Sequence, residues 1–366
     1  MRIRDAALGL ALAAVVASAC ATPFAPLAAP AASTVEVAAL PPITLPADEI
    51  PHANLTEWWY FTGHLRTDDG RPFGFEFVIF QSVRGSAPAG YAAHFALTDR
   101  DGRQFRFDQK SSAAHGAAVG EGLDLAVGDW HLRRAAGEFR VQASTDGAAI
   151  DLALTPTKPA VLHNSTGVLD FSPYGWSYYY SYTRLAVTGT LRTDALTRPV
   201  RGQAWFDHQW GDFISVGSGG WDWFSLQLDD GRDFTASLVR AADGAVILTY
   251  GTMVDRDGRA RHLRAGEFEV RPRGTWTSPA SCATYPSGWD LTIASDRIAV
   301  TLSPVLLDQE LDARASVGVV YWEGAVDATA AGVLVGVGYV ELTGYATAPP
   351  PTAAGGAGPS RPAACA

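Results

Sequence analysis

The sequence predicts an all-β protein, two antiparallel β-barrels in tandem, and three observations carry that reading. Apolar and polar residues alternate with period 2 through residues 55–345, the repeat of a strand rather than a helix. Asp-Gly, a favoured pair for two-residue hairpin turns, recurs at Asp69-Gly70, Asp101-Gly102, Asp146-Gly147, Asp230-Gly231, Asp243-Gly244 and Asp257-Gly258. No long segment carries a 3.6-residue apolar stripe.

The chain opens on an export signal over residues 1–20. Arg2 and Arg4 precede an apolar run, residues 6–19, that is too short to span a bilayer. The run ends Ala17-Ser18-Ala19-Cys20, which resembles a bacterial lipobox with Ala17 in place of the usual leucine. Cys20 is therefore the expected lipidation site, with plain cleavage as the alternative. A periplasmic, membrane-anchored lipoprotein is the expected address, because no later stretch is long and apolar enough to span a membrane. Residues 21–42 are an Ala/Pro-rich linker, and residues 347–366 read as a disordered tail of the same composition. Cys282 and Cys365 remain, and an exported chain leaves them free or paired.

The first strands read clearly. Trp58-Trp59-Tyr60-Phe61-Thr62-Gly63-His64-Leu65 leads through Asp69-Gly70 into Pro72-Phe73-Gly74-Phe75-Glu76-Phe77-Val78-Ile79-Phe80. Phe73, Phe75, Phe77 and Ile79 share one face, and Gly74, Glu76, Val78 and Phe80 share the other, so both faces are expected to meet apolar surface. The polar, turn-rich stretch 190–199 is the expected boundary, dividing the fold into residues 43–195 and 196–346. Each half has enough residues for roughly eight strands, the number that closes around a small ligand.

With 366 residues, 28 Lys+Arg against 38 Asp+Glu and a formal charge of −10, the chain lacks the basic stripe of a nucleic-acid binder. Only Lys110 and Lys158 are lysines, and no phosphate-binding glycine loop, nucleophile elbow or His-Glu-x-x-His zinc motif occurs. The eight histidines never fall at ligand spacing, so neither a metal nor another cofactor is expected.

Chemistry concentrates in Trp205-Phe206-Asp207-His208-Gln209-Trp210 and in Trp221-Asp222-Trp223-Phe224-Ser225-Leu226-Gln227-Leu228. On a regular strand His208 and Trp210 share one face and Asp207 the other, so Asp207 and His208 do not enter one cavity. Asp222 lies on the face of Phe224, Leu226 and Leu228, where desolvation raises a carboxyl pKa. Asp207 and Asp222 are each read as a proton donor or as a tie for nearby backbone amides and indole N–H groups. A second aromatic box combines Glu57, Trp58, Trp59 and Tyr60 with Tyr178 and Tyr180, as a pocket wall or as core.

At these motifs the sequence resembles the AttH/CrtC-type family, which includes carotenoid 1,2-hydratases. The resemblance is carried by Glu57-Trp58-Trp59-Tyr60, Phe73-Gly74-Phe75-Glu76-Phe77, His94-Phe95-Ala96-Leu97-Thr98-Asp99, Tyr179-Tyr180-Ser181, Asp207-His208-Gln209-Trp210-Gly211 and Trp221-Asp222-Trp223. It continues through Tyr285-Pro286-Ser287-Gly288-Trp289, Asp308-Gln309-Glu310, Tyr321-Trp322-Glu323-Gly324 and Gly338-Tyr339-Val340-Glu341-Leu342. It implies two lipocalin-like barrels and, in the hydratase branch, protonation of an isoprenoid double bond followed by water addition. His208 and Trp210 match the Asp-His-x-Trp element given a catalytic role there. Residues 232–238 lack the tyrosine and aspartate pair that the hydratases also use.

Three functions are thus expected in competition. The first is an exported module binding an isoprenoid or lipid through Glu57, Trp58, Trp59, Tyr60, Tyr178, Tyr180, Trp221 and Trp223. The second is a hydratase using Asp207, His208, Trp210 and Asp222. The third, implied by the resemblance, is an accessory lipoprotein of an ABC-type permease.

Overall fold

A computed structural model describes residues 36–113, 122–194, 196–213, 218–346 and Cys365. The segment expected to be an export signal, with the expected lipidation site Cys20, most of the expected linker and the tail other than Cys365 lie outside the described residues. Among those described, no helix is long and apolar enough to cross a membrane. Cys365 is disulfide-bonded to Cys282.

The fold is all-β, as the alternation predicts. The first sheet contains β1 (Thr56–Thr67), β2 (Pro72–Ser82), β3 (Gly90–Asp99), β4 (Gln104–Ala113), β5 (Asp124–Val127), β6 (Trp130–Ala135), β7 (Glu138–Thr145), β8 (Ala148–Pro156), β9 (Val161–Leu162), β10 (Val168–Asp170), β11 (Gly175–Thr193) and β12 (Leu196–Phe213). Its antiparallel order is β4-β3-β2-β1-β12-β11-β8-β7-β6-β5, with β9 and β10 attached to β11. The two edges curl towards each other, where Lys110 of β4 pairs with Asp129 and lies over the Trp130 ring, so the sheet is a nearly closed barrel.

The second sheet follows with β13 (Ser218–Leu228), β14 (Asp233–Ala241), β15 (Val246–Val254), β16 (Ala260–Leu263), β17 (Glu269–Pro272), the separate hairpin β18 (Thr275–Thr277) and β19 (Thr284–Pro286), β20 (Trp289–Ile293), β21 (Ile298–Pro304), β22 (Glu310–Ala313), β23 (Val319–Ala330) and β24 (Val333–Leu342). Its order is β16-β15-β14-β13-β24-β23-β21-β20-β17, with β22 on β23.

Two expected boundaries shift. The stretch 190–199 is the tip of the β11–β12 hairpin, and β12 then pairs with β1 along its length, so residues 196–213 belong to the first sheet and not to the second domain. Polar turn residues mark a hairpin tip as readily as a linker. Residues 36–42, expected as linker, pack instead: Val37 and Leu40 lie on the first core, and the Pro41 carbonyl accepts from the Tyr178 hydroxyl at 2.7 Å.

Each sheet encloses its own apolar core. Phe61, Phe77, Phe95, Trp130, Phe139 and Phe206 fill the first, and Phe224, Phe234, Tyr285, Trp289 and Trp322 the second. The two-sided apolar pattern of β2 has its explanation here. Phe73, Phe75, Phe77 and Ile79 enter the first core, whereas Val78 and Phe80, with Tyr60 and Trp205, pack against Trp223 and Tyr339 of the second sheet. The sheets therefore pack outer face to outer face. At the edge of that contact Asp233 of β14, fully buried, accepts from Lys158 Nζ (2.7 Å), Arg184 Nη2 (2.6 Å) and Thr183 Oγ1 (2.8 Å), all from the first unit.

Candidate functional site between the sheets

Strand alternation sorts the expected site residues into two groups. On β1, Trp58 and Tyr60 point to the second sheet, while Glu57 and Trp59 point into the first barrel. On β12, Asp207 and Gln209 point outwards, and His208 and Trp210 inwards. Register brings Tyr60 opposite Asp207 and Trp58 opposite Gln209 on one side, with Ser181 opposite Asp207 and Tyr179 opposite Gln209 on the other. Across the interface, Trp223 of β13 lies between Glu341 of β24 and Ser237 of β14, which is itself opposite Tyr250 of β15.

These two rows enclose a cavity of about 420 Å³. Trp58, Phe80, Phe171, Phe213, Trp221 and Trp223 form its aromatic wall, and Asp207, Gln209, Glu341, Tyr179, Tyr250 and Arg84 are among its polar members. The wall is predominantly apolar with a few placed polar groups, the usual make-up of a small-molecule site.

Asp207 is the most heavily held of these groups. It accepts from Tyr179 OH (2.8 Å), from Trp205 Nε1 (2.7 Å) and from Ser181 Oγ. Burial pushes its pKa up to about 7, against the pull of those three donors. Glu341 accepts from Trp221 Nε1 at 3.0 Å and is likewise pushed by burial to about 7. Behind it, Glu323 lies directly opposite on β23 and accepts from Tyr60 OH at 2.7 Å. Glu76 of β2 completes the acidic set, and neither of its carboxyl oxygens has a hydrogen-bond partner. Burial, then the neighbouring carboxylates, hold both Glu323 and Glu76 well above the usual carboxyl range. The interface thus gathers carboxyl groups with raised pKa values, of which Asp207 and Glu341 line the aromatic cavity.

The inward group forms a different cluster. Glu57 Oε1 lies 2.7 Å from His52 Nδ1 and 2.8 Å from His208 Nε2, while its Oε2 accepts from the His52 amide (2.7 Å) and Gln81 Nε2 (3.1 Å). Trp210 stacks on His52 with ring centres 4.3 Å apart, Trp59 stacks on His208 at 4.9 Å, and Tyr178 and Tyr180 pack around Trp210. Burial lowers the His208 pKa, so the imidazole is neutral. His52, Glu57 and His208 are the one set among the described residues whose ligand atoms converge as a metal site would need. In this structure those atoms hydrogen-bond to one another, which ties His52 and β12 to β1 inside the first barrel. Tertiary folding joins His52 to His208 across 155 intervening positions, which sequence spacing does not foretell.

Asp222 does not reach the cavity. It points into the second barrel, where it pairs with Arg240 and accepts from Tyr345 OH at 3.0 Å. Burial raises its pKa and Arg240 opposes the rise. Its neighbours Trp221 and Trp223 are the residues that face the cavity. Missing from the expected set were Glu76, Glu323, Glu341, Tyr179, Tyr250 and Arg84. Glu76 carried a readable signal, a carboxylate in the middle of a strand with two apolar faces.

The fold and site define a lipocalin-type protein of two packed β-sheets with a cavity between them. The chain belongs to the AttH-like family, whose model matches residues 36–345. A solved AttH protein of Nitrosomonas europaea is similar at 34% identity and TM-score 0.76, over 83% of this chain and 98% of that one. Kievitone hydratase of Nectria haematococca shares the fold at TM-score 0.66 and 18% identity, over 88% of this chain and 98% of that one. No match is found among curated proteins.

Proposed function

We propose that the chain binds an apolar, unsaturated molecule in the cavity between its sheets and moves protons on it, adding or removing water at a double bond. The observation that supports this reading is the pair Asp207 and Glu341, one from each sheet, both poised near pH 7 beside the same aromatic wall. In the hydration direction the neutral Asp207 carboxyl gives its proton to one alkene carbon. The π electrons form the new C–H bond and leave a cation on the other carbon, which the faces of Trp58, Trp221 and Trp223 stabilise. Water attacks that carbon to form the C–O bond, and its surplus proton passes to ionised Glu341. Proton exchange resets the two carboxyls, and dehydration is the reverse. The inward cluster of His208, Trp210 and Glu57 holds β1 and β12, the strands that carry Tyr60 and Asp207. That the similarly folded kievitone hydratase is a hydratase accords with this chemistry.

The test is incubation of the purified protein with lycopene, squalene and geraniol in detergent and H2(18)O, with mass spectrometry of extracted products. Incorporation of 18O that disappears in Asp207→Asn supports the reading. Binding without incorporation leaves a carrier of apolar ligands, the other function weighed above. Failure to bind any of the panel removes both readings for neutral isoprenoids.

A further inference from the structure

Among the described residues that line the cavity, Arg84, in the loop that follows β2, is the single Lys or Arg side chain. Its Nη1 donates to the carbonyls of Leu55 and Val83, which fixes the guanidinium at the Thr56 end of β1. Arg84 makes no ion pair with a carboxylate among the described residues, and its Nε has no hydrogen-bond partner there. A held cation without a counter-charge at the edge of an apolar cavity is a recognition element for an anion. At the other end, burial raises the carboxyls of Asp207 and Glu341 to about 7, which weakens their repulsion of an anion relative to ordinary carboxylates.

Register converts this polarity into a length. Arg84 is tied to Leu55, and Asp207 is opposite Tyr60, five residues further along the same strand. At about 3.3 Å per residue the two ends lie roughly 16 Å apart along the strand, less what the side chains reach back. An extended carbon chain advances roughly 1.2 Å per bond, so ten or so carbons fill the interval.

We infer that the ligand of this cavity is amphipathic: a linear apolar body with one anionic headgroup, carboxylate or phosphate, bound at Arg84, and its unsaturated carbons about ten positions away between Asp207 and Glu341. This rests on the cavity being the ligand site, and deepens that reading by naming the ligand class.

The experiment is equilibrium binding, followed by fluorescence, of cis-parinaric acid and of its methyl ester to the purified protein and to Arg84→Gln. The acid is expected to bind at least tenfold more tightly than the ester, and Arg84→Gln to bring that ratio close to one by weakening the acid more than the ester. Displacement of the bound acid by farnesyl phosphate, but not by farnesol, would identify phosphate as the favoured head, and the opposite ranking of oleate over farnesyl phosphate would identify carboxylate. Equal binding of acid and ester overturns the inference and leaves the cavity as the site of a neutral ligand. Loss of ester binding in Arg84→Gln means that Arg84 shapes the loop rather than the headgroup site, and also overturns it. No binding of either probe, with none from the neutral panel, overturns the cavity reading itself.

Discussion

The indole N–H of Trp223, on the second sheet, donates to the hydroxyl of Tyr179, on the first, at 3.2 Å, and that hydroxyl donates in turn to Asp207 at 2.8 Å. The acid of the proposed site is thus oriented by both sheets, and relative movement of the sheets changes its hydrogen bonding. Binding at the cavity and packing of the two units are one physical problem.

The buried carboxyls give the packing a pH dependence. Unfolded Asp and Glu titrate near 3.9 to 4.3, whereas in the fold Asp207 and Glu341 titrate at about 7 and Glu76 and Glu323 well above their ordinary value. The native state therefore holds more protons, and stability falls as pH rises through the folded values. Below about 6.5 the buried His64, lowered to about 4, and His94 and His163, lowered to about 3, act the other way. The clean window therefore opens above about 6.5 and spans the folded values of about 7, and across it the melting temperature is expected to fall. Asp207→Asn with Glu341→Gln should flatten the slope in calorimetry; an unchanged slope would show that these groups do not titrate with folding.

Trp221 holds Glu341 down by its N–H, the one hydrogen bond opposing burial there. Trp221→Phe keeps the apolar wall and removes the donor, so the Glu341 pKa should rise above about 7. Carboxyl 13C shifts followed by NMR against pH read this directly, and a titration that stays at its present midpoint would count against the contact.

Asp233 is a buried charge shared by Lys158 and Arg184 across the two units. Removing one partner from such a group typically costs about 3–5 kcal/mol, because uncompensated charge remains. Asp233→Ala should lose an amount of that order in urea unfolding. A loss below about 1 kcal/mol, the range of exposed pairs, would mean that water reaches this site.

Gly74 sits at a close approach of the two sheets. A Cβ there would lie 2.5 Å from the Tyr339 hydroxyl and 2.9 Å from Ala325 Cβ. Gly74→Val is expected to push the sheets apart, at about 1–3 kcal/mol by the usual cost of overpacking, and to weaken binding of an apolar probe in the neighbouring cavity. Full stability and full binding in this variant would argue against the close packing.

Period-2 alternation and Asp-Gly turns were enough to determine the strands, the all-β class and the two-sided burial of β2, because side-chain direction in a strand follows from covalent geometry alone. The same alternation separated Asp207 from His208. What it could not supply was partnership. Glu341 meets the Asp207 cavity from a strand more than a hundred residues away, and Asp222, equally desolvated by its strand neighbours, finds Arg240 instead. The division at residue 195 failed for the same reason, since a turn ends a strand whether the next strand pairs back or starts a new domain. Which outer face covers which, and therefore which carboxyls stand with raised pKa values beside a cavity, depends on contacts between residues distant in sequence, and only the packing of the two sheets decided it.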